Sequence, residues 1–402
     1  MNEVLKSRSP FYPGQPVPAE LFVGRSQQIM RILDRGVRQV AMGKPVAMYV
    51  QGEYGIGKSS IATFAQWVAE RDHALHGIYA PLGGAGNLRD LAMAVVAATL
   101  RSGAFDPKRS EKLRNWLAKY VGKQELFGLS LNLDKLRNDT PSLSTHFGML
   151  AFLTEAYNRL KDTNVRGIFL VLDEINGIAS DTQFAHFLKS FIDTNAAASP
   201  PLPFLLMLCG VEEKRRDLIQ RHQPVDRLFD VIDIEAMTEA EMVEFFNRAF
   251  GSVQMTVEAT AMRTLTTYSA GFPKIMHLVG DAAFWSDRDG VVDNEDAIRA
   301  VVSAADDVGK KYVDQQVYGA LRSKDYRSIL ERIAKLHPDR MSFTRREISV
   351  GLSESQRKKL DNFLKRMKTL QVIRSGTVAG EYVFNVRMVR LYIWLQSLHE
   401  AT

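Results

Sequence analysis

The sequence predicts an α/β core built on a parallel sheet, followed by a helical domain and a small domain of helices and strands. Three stretches carry that expectation. Gly52-Glu53-Tyr54-Gly55-Ile56-Gly57-Lys58-Ser59-Ser60 fits G-x-x-x-x-G-K-[ST]. It follows an apolar run at 46–50 and precedes a helical pattern at 59–70, with Ile61, Phe64, Ala65 and Val68 on one face. A second apolar run, 167–172, ends on Asp173 and Glu174. In the last stretch, 323–402, three helical patterns precede two short strands.

The glycine-rich stretch is a P-loop. Its glycines let the backbone approach a triphosphate closely, and successive N–H groups and the positive end of the next helix face the phosphate oxygens. Lys58 supplies a mobile positive charge, and the Ser59 hydroxyl can ligate Mg²⁺. A chance match is the alternative, and the flanking strand and helix argue against it.

A chain of 402 residues fits two or three domains. With 52 basic and 46 acidic residues the formal charge is +6, which permits a nucleic-acid partner without demanding one. The single cysteine, Cys209, excludes an internal disulfide and lies in an apolar run, as a buried hydrophobe would. No stretch reaches the roughly 18 apolar residues of a spanning helix. A soluble, cytoplasmic protein with no membrane partner is expected. His73 and His76 are spaced as metal ligands can be, but no further ligand is near them in sequence.

Taken in order, the chain opens on a Pro-rich segment that also carries Phe11, Tyr12, Val17, Leu21, Phe22 and Val23. That apolar content suits a wrap around the nucleotide domain, with a wall facing the base. Ser26 is expected to cap a helix reaching Gly43. Strands are expected at 46–50, 77–82, 167–172, 204–210 and 229–234, with helices at 87–101, 110–121, 143–160 and 184–193 between them. Residues 103–146 read as an insertion in which 126–133 could form a strand. Asp173 and Glu174 would sit at the C-terminal edge of a central strand, where open α/β sheets bind ligands. There Asp173 would hold Mg²⁺ through its water shell, and Glu174 would orient and deprotonate the attacking water. The bland alternative is a strand end with two solvated acids. Five strands with a glutamate after the aspartate suggest the sheet order 5-1-4-3-2.

These stretches together resemble the AAA+ ATPases of the origin-recognition and STAND-like prokaryotic type. The resemblance implies a nucleotide-binding domain over 1–235, a helical lid over 236–322 and a winged helix over 323–402, with ATP and Mg²⁺ as ligands. It implies that Phe22, Val23 and Arg25 lie beside the adenine, and that Gly52–Ser60 and Asp173-Glu174 are Walker A and Walker B. Arg227 falls where the family places a finger that reaches a neighbouring subunit's nucleotide, which would require a homo-oligomer. The alternative is a surface arginine paired with Asp226 or Asp230. Lys274, after Pro273, falls in the sensor-2 region, where it would close the lid onto bound nucleotide; the alternative is an ordinary helix start with a solvated lysine. Sensor 1 departs from the pattern, because the fourth strand ends in Cys209-Gly210 with no polar side chain. The helix at 353–370 carries Arg357, Lys358, Lys359 and Lys365, as a helix facing double-stranded DNA would; a solvated face or a protein-docking module is the alternative. The implied activity is an ATP-driven switch acting through a separate effector protein, or an ATP-dependent DNA-binding regulator or loader.

Overall fold

The computed structural model describes residues 6, 8–15, 18, 22–103, 106–121, 142–310, 319, 323–336, 340–370, 372–376 and 378–399. The strand expected at 126–133, and part of the helical lid expected over 236–322, lie outside them. The chain forms two compact units, residues 16–235 and residues 1–15 with 236–402.

In the first unit five strands form one sheet: β1 Val46–Gly52, β2 Leu75–Pro81, β3 Gly167–Asp173, β4 Phe204–Gly210 and β5 Asp230–Ile234. Their order is β2-β3-β4-β1-β5, and every pairing is parallel. This is the expected 5-1-4-3-2, named from the other edge. All residues of β3 and β4 are buried, as in strands covered on both faces, so their sequences read as unbroken apolar runs.

Helix α1, Ser26–Ile32, continues through a π-helical stretch, Leu33–Val37, into α2, Arg38–Ala41. Ser26 is the first helical residue and not the cap. Arg25 occupies the cap position with φ 60°, and its buried side chain turns inward to another partner. The remaining helices are α3 Lys58–His73, α4 Leu88–Arg101, α5 Pro107–Val121, α6 His146–Leu160, α7 Thr182–Ala197 and α8 Glu212–Arg221. Asn87 starts α4 by accepting from the N–H groups of Arg89 and Asp90. Helix α5 lies within the expected insertion, yet its Leu113, Trp116 and Leu117 are buried in the core. The Trp116 ring lies 5.1 Å from that of Phe152 on α6. His76 is a core residue, its Nε2 being 2.8 Å from Ser102 Oγ.

The second unit contains α9 Glu239–Gly251, β6 Thr256–Val257, α10 Ala259–Ser269, α11 Pro273–Ser286, β7 Val291–Val292 and α12 Asn294–Val308. It continues with α13 Lys324–Ala334, β8 Ser342–Thr344, α14 Arg345–Ser349, α15 Glu354–Thr369, β9 Ile373–Ser375, β10 Glu381–Phe384 and α16 Arg387–His399. Thr238 with Glu241, and Ser353 with Gln356, form capping boxes that set the starts of α9 and α15. Strands β8, β10 and β9 pair antiparallel in that order, and α16 packs back on α10 and α12.

Of the opening segment, residues 1–15 belong to the second unit and not, as expected, to the nucleotide domain, while Phe22 and Val23 remain in the first. Phe11 is 4% exposed within the second unit, with its ring 4.9 Å from Phe250 and 5.9 Å from Phe245. The Tyr12 N–H donates to His277 Nδ1 at 3.1 Å, and Lys6 pairs with Asp287 at 3.2 Å. Burial holds His277 down to about 4, so at neutral pH its Nδ1 remains an acceptor. Helices α9 and α11 leave an apolar slot that the Phe11 ring fills, and Gly280 on α11 provides the room. A Cβ at Gly280 would lie 2.3 Å from Phe11 Cε1.

Gly280→Ala should therefore destabilise the protein. The helix gains up to about 1 kcal/mol from alanine, whereas expelling a buried phenylalanine costs roughly 3 kcal/mol. A melting temperature lower by roughly 5 °C in scanning calorimetry is expected, and a rise would show that Phe11 is not held in this slot.

Candidate functional site

Strand β1 delivers the glycine-rich loop at the C-terminal edge of the sheet. Gly55 (φ 78°) and Gly57 (φ 99°) take left-handed values that other residues reach only with strain, so the chain reverses tightly and enters α3 directly. Gly57 caps α3, whose first turn leaves its N–H groups directed back along the loop. Lys58, the first helical residue, donates from Nζ to the carbonyls of Gly52 at 3.0 Å and Glu53 at 2.8 Å. Burial holds its ammonium below the ordinary lysine value; Cys209, Asp173, Glu174 and Glu53 act in the opposite sense. Ile56 is buried, and its carbonyl accepts from Arg25 Nη2 at 2.6 Å. Tyr54 is exposed, and Ser60 lies in the first turn of α3.

Strand β3 brings its acids to the same edge. Ser59 Oγ donates to Asp173 Oδ2 at 2.6 Å, joining two residues far apart in sequence. The Tyr79 phenol on β2 donates to the same oxygen, and the Glu174 N–H donates to Asp173 Oδ1 at 2.9 Å. Burial pushes the Tyr79 phenol up, and the Asp173 charge beside it adds to the shift, so the hydroxyl stays protonated and donating. Glu174 has φ 57° and is exposed; its Oε2 leans over Gly83, where a Cβ would lie 2.3 Å from it.

Beside these acids β4 ends in Cys209 and Gly210, and the buried thiol is held well above its ordinary value by burial. Asn176, on the turn after β3, reaches across the strand end, its Oδ1 accepting from the Val211 N–H at 3.3 Å. Neither Tyr79 nor Asn176 was singled out in the sequence. Strand alternation gives a signal for Tyr79 once the sheet order is known, because Pro81 pairs with Asp173 and Tyr79 shares the face of Pro81.

The other candidates lie on other elements. Phe22 stacks on Phe64 with ring centroids 4.7 Å apart, and Val23 is buried. Arg227 precedes β5, whose Asp230 pairs with Met48; it therefore sits at the end of the sheet opposite Gly52–Ser60, roughly 13 Å or more along the strand direction. It is exposed, and the acids proposed to pair with it are taken, Asp226 by Arg215 at 2.6 Å and Asp230 by Arg31. Lys274 is the second residue of α11 in the second unit, following Pro273 at its first position. Arg357, Lys358, Lys359 and Lys365 are exposed on α15. Lys358 pairs with Glu354 at 2.8 Å and Lys359 with Asp325 at 2.6 Å.

The cluster fits a magnesium-bound triphosphate. Mg²⁺ takes oxygen ligands and draws only one or two from protein in nucleotide sites, and the Ser59 hydroxyl with the Asp173 carboxylate is such a donor set.

The chain is similar in structure to a Walker-type ATPase of Pyrococcus abyssi, with 17% identity and a TM-score of 0.58 over 94% of this chain and 98% of that one. It is also similar to the ORC2 protein of Aeropyrum pernix in its ADPNP–ADP complexes, with 12% identity and a TM-score of 0.58 over 98% of both chains. The chain shares their fold. The ADP form of the same ORC2 protein gives a TM-score of 0.51 at 12% identity, covering 97% of this chain and 96% of that one. No family model and no curated protein sequence matches the chain. Among the described residues, no helix is long and apolar enough to cross a membrane.

Proposed function

We propose that the chain binds ATP with Mg²⁺ and hydrolyses it, as a switch of the AAA+ type whose nucleotide state governs assembly and engagement of a partner. The observation that carries this is the contact of Ser59 with Asp173, which joins the glycine-rich loop to the acid-bearing strand. The loop amides from Gly52 to Ser60 and the Lys58 ammonium bind and orient the phosphates. Mg²⁺, when bound, offsets negative charge on the phosphate oxygens. Glu174 is exposed at the strand edge, where it can orient water and take its proton. Phe22, Val23 and Arg25 are assigned to the base-facing side, and Lys274 is assigned as a further nucleotide-binding cation.

Arg227 cannot serve the nucleotide of its own chain from the far end of the sheet, so its proposed role is in a neighbouring copy. Its exposure, and the pairing of Asp226 and Asp230 with other arginines, support that role. Calorimetric titration with ATP and Mg²⁺, followed by phosphate-release and light-scattering measurements, tests the proposal. It predicts saturable binding, turnover and a larger particle in the presence of ATP; failure to bind ATP overturns it.

The second reading is a DNA-binding regulator or loader acting through residues 323–402 as a winged helix. The exposed basic face of α15 favours it. Lys365, seven residues beyond Lys358 on the face opposite buried Leu360 and Leu364, is the strongest candidate for a phosphate contact. On that reading Lys365→Ala lowers the salt slope of duplex-DNA affinity by about 1. Lys359→Ala lowers it less, because Asp325 already engages that charge. Affinity that does not depend on salt would remove DNA as the partner and leave a protein effector.

A further inference from the structure

Three donors converge on one carboxylate in the first unit. Asp173 Oδ2 accepts from the Ser59 and Tyr79 hydroxyls, and Oδ1 accepts from the Glu174 N–H. The Ser59 bond joins the loop to β3, and the Glu174 bond is local to the turn after the strand. The Tyr79 bond is different, since it comes from the neighbouring strand. Strand β2 is already fixed to β3 along its whole length by the register from Leu75–Gly167 to Pro81–Asp173, so the sheet does not need this hydroxyl.

What the hydroxyl adds is orientation. The terminal torsion of a carboxylate is broad and weakly restrained, and Asp173 lies where its plane decides which way the Ser59 O–H points. With a phenol from a fixed strand on Oδ2, the carboxylate is held against Ser59. The Ser59 proton is then committed to Asp173, and the lone pairs of its oxygen are left to face a cation.

Resting on the nucleotide site proposed above, we infer that Tyr79 is a positioning residue for the magnesium ion that accompanies the nucleotide, acting through Asp173 and Ser59. It touches neither phosphate nor the attacked atom. Outer partners of this kind change metal affinity by roughly 10–100-fold when removed.

Tyr79→Phe tests this, because it keeps the ring and removes only the hydroxyl. The full chain is titrated with the β,γ-imido analogue of ATP, once with Mg²⁺ and once with EDTA; the ratio of the two Kd values is the magnesium advantage. Tyr79→Phe is expected to lower that advantage about tenfold, with the EDTA Kd unchanged. Ser59→Ala, which removes the ligand itself, sets the scale by lowering the advantage at least as far. If Tyr79→Phe keeps the wild-type advantage, the role assigned to Tyr79 is wrong. An equal loss in both titrations also overturns it, since that marks a general disturbance of the loop. Wild-type protein that binds the analogue in neither titration overturns the nucleotide site itself, a result distinguishable from the other two.

Discussion

Lys58→Ala is expected to abolish measurable ATP binding while leaving the fold intact. The side chain has two duties in this geometry. Its ammonium holds the carbonyls of Gly52 and Glu53, bracing the loop from within, and it is the cation nearest the proposed phosphate positions. A hydrogen bond from a charged group contributes roughly 1.5–3 kcal/mol, so losing two such bonds from the ammonium to phosphate oxygens amounts to a hundredfold or more in affinity. The partly exposed loop packs little apolar surface through Lys58, so the melting temperature should hold. Titration calorimetry reads the result, and a wild-type Kd in the variant would remove the loop from the function proposed.

Glu174→Gln should separate binding from turnover. Glutamine keeps the size and the left-handed backbone of the turn but cannot accept a proton from water. Removing a general base slows the reaction by about 10²–10⁴-fold. Because Glu174 makes none of the contacts that join Ser59 to Asp173 through its side chain, ATP affinity should stay at the wild-type value. Single-turnover phosphate release beside a binding titration measures both quantities. Undiminished release would assign the base elsewhere, and Asp173, already engaged by three donors, is poorly suited to the task.

The sheet was legible because its central strands are buried on both faces and therefore appear as unbroken apolar runs, each ended by a glycine or an acid. The glycine-rich loop was legible because its glycines and lysine fall within one short stretch, Gly52 to Lys58. What escaped detection was short or depended on distant partners. Strands β6, β7 and β8 span two or three residues, too few for alternation to register. Tyr79 looks like any aromatic residue in a strand until β3 is placed beside it and Asp173 comes within reach. Phe11 announced that the opening segment must pack, but apolar content does not say against what. Its destination was decided by a glycine and three phenylalanines more than 200 residues away. Arg25 was placed beside the base by resemblance, and its guanidinium contact to the Ile56 carbonyl of the loop had no signal in the sequence.

That placement of Phe11 also bears on how the chain is made. Residues 6–15 leave the ribosome before anything else described here, yet the slot that receives them includes His277 and Gly280 and cannot exist until α11 has been synthesised. The sheet of the first unit can assemble during that interval with its leading peptide still waiting. Excising residues 16–235 should thus yield a self-sufficient piece, whereas residues 236–402 alone would expose the phenylalanine-lined groove that Phe11 fills in the whole chain.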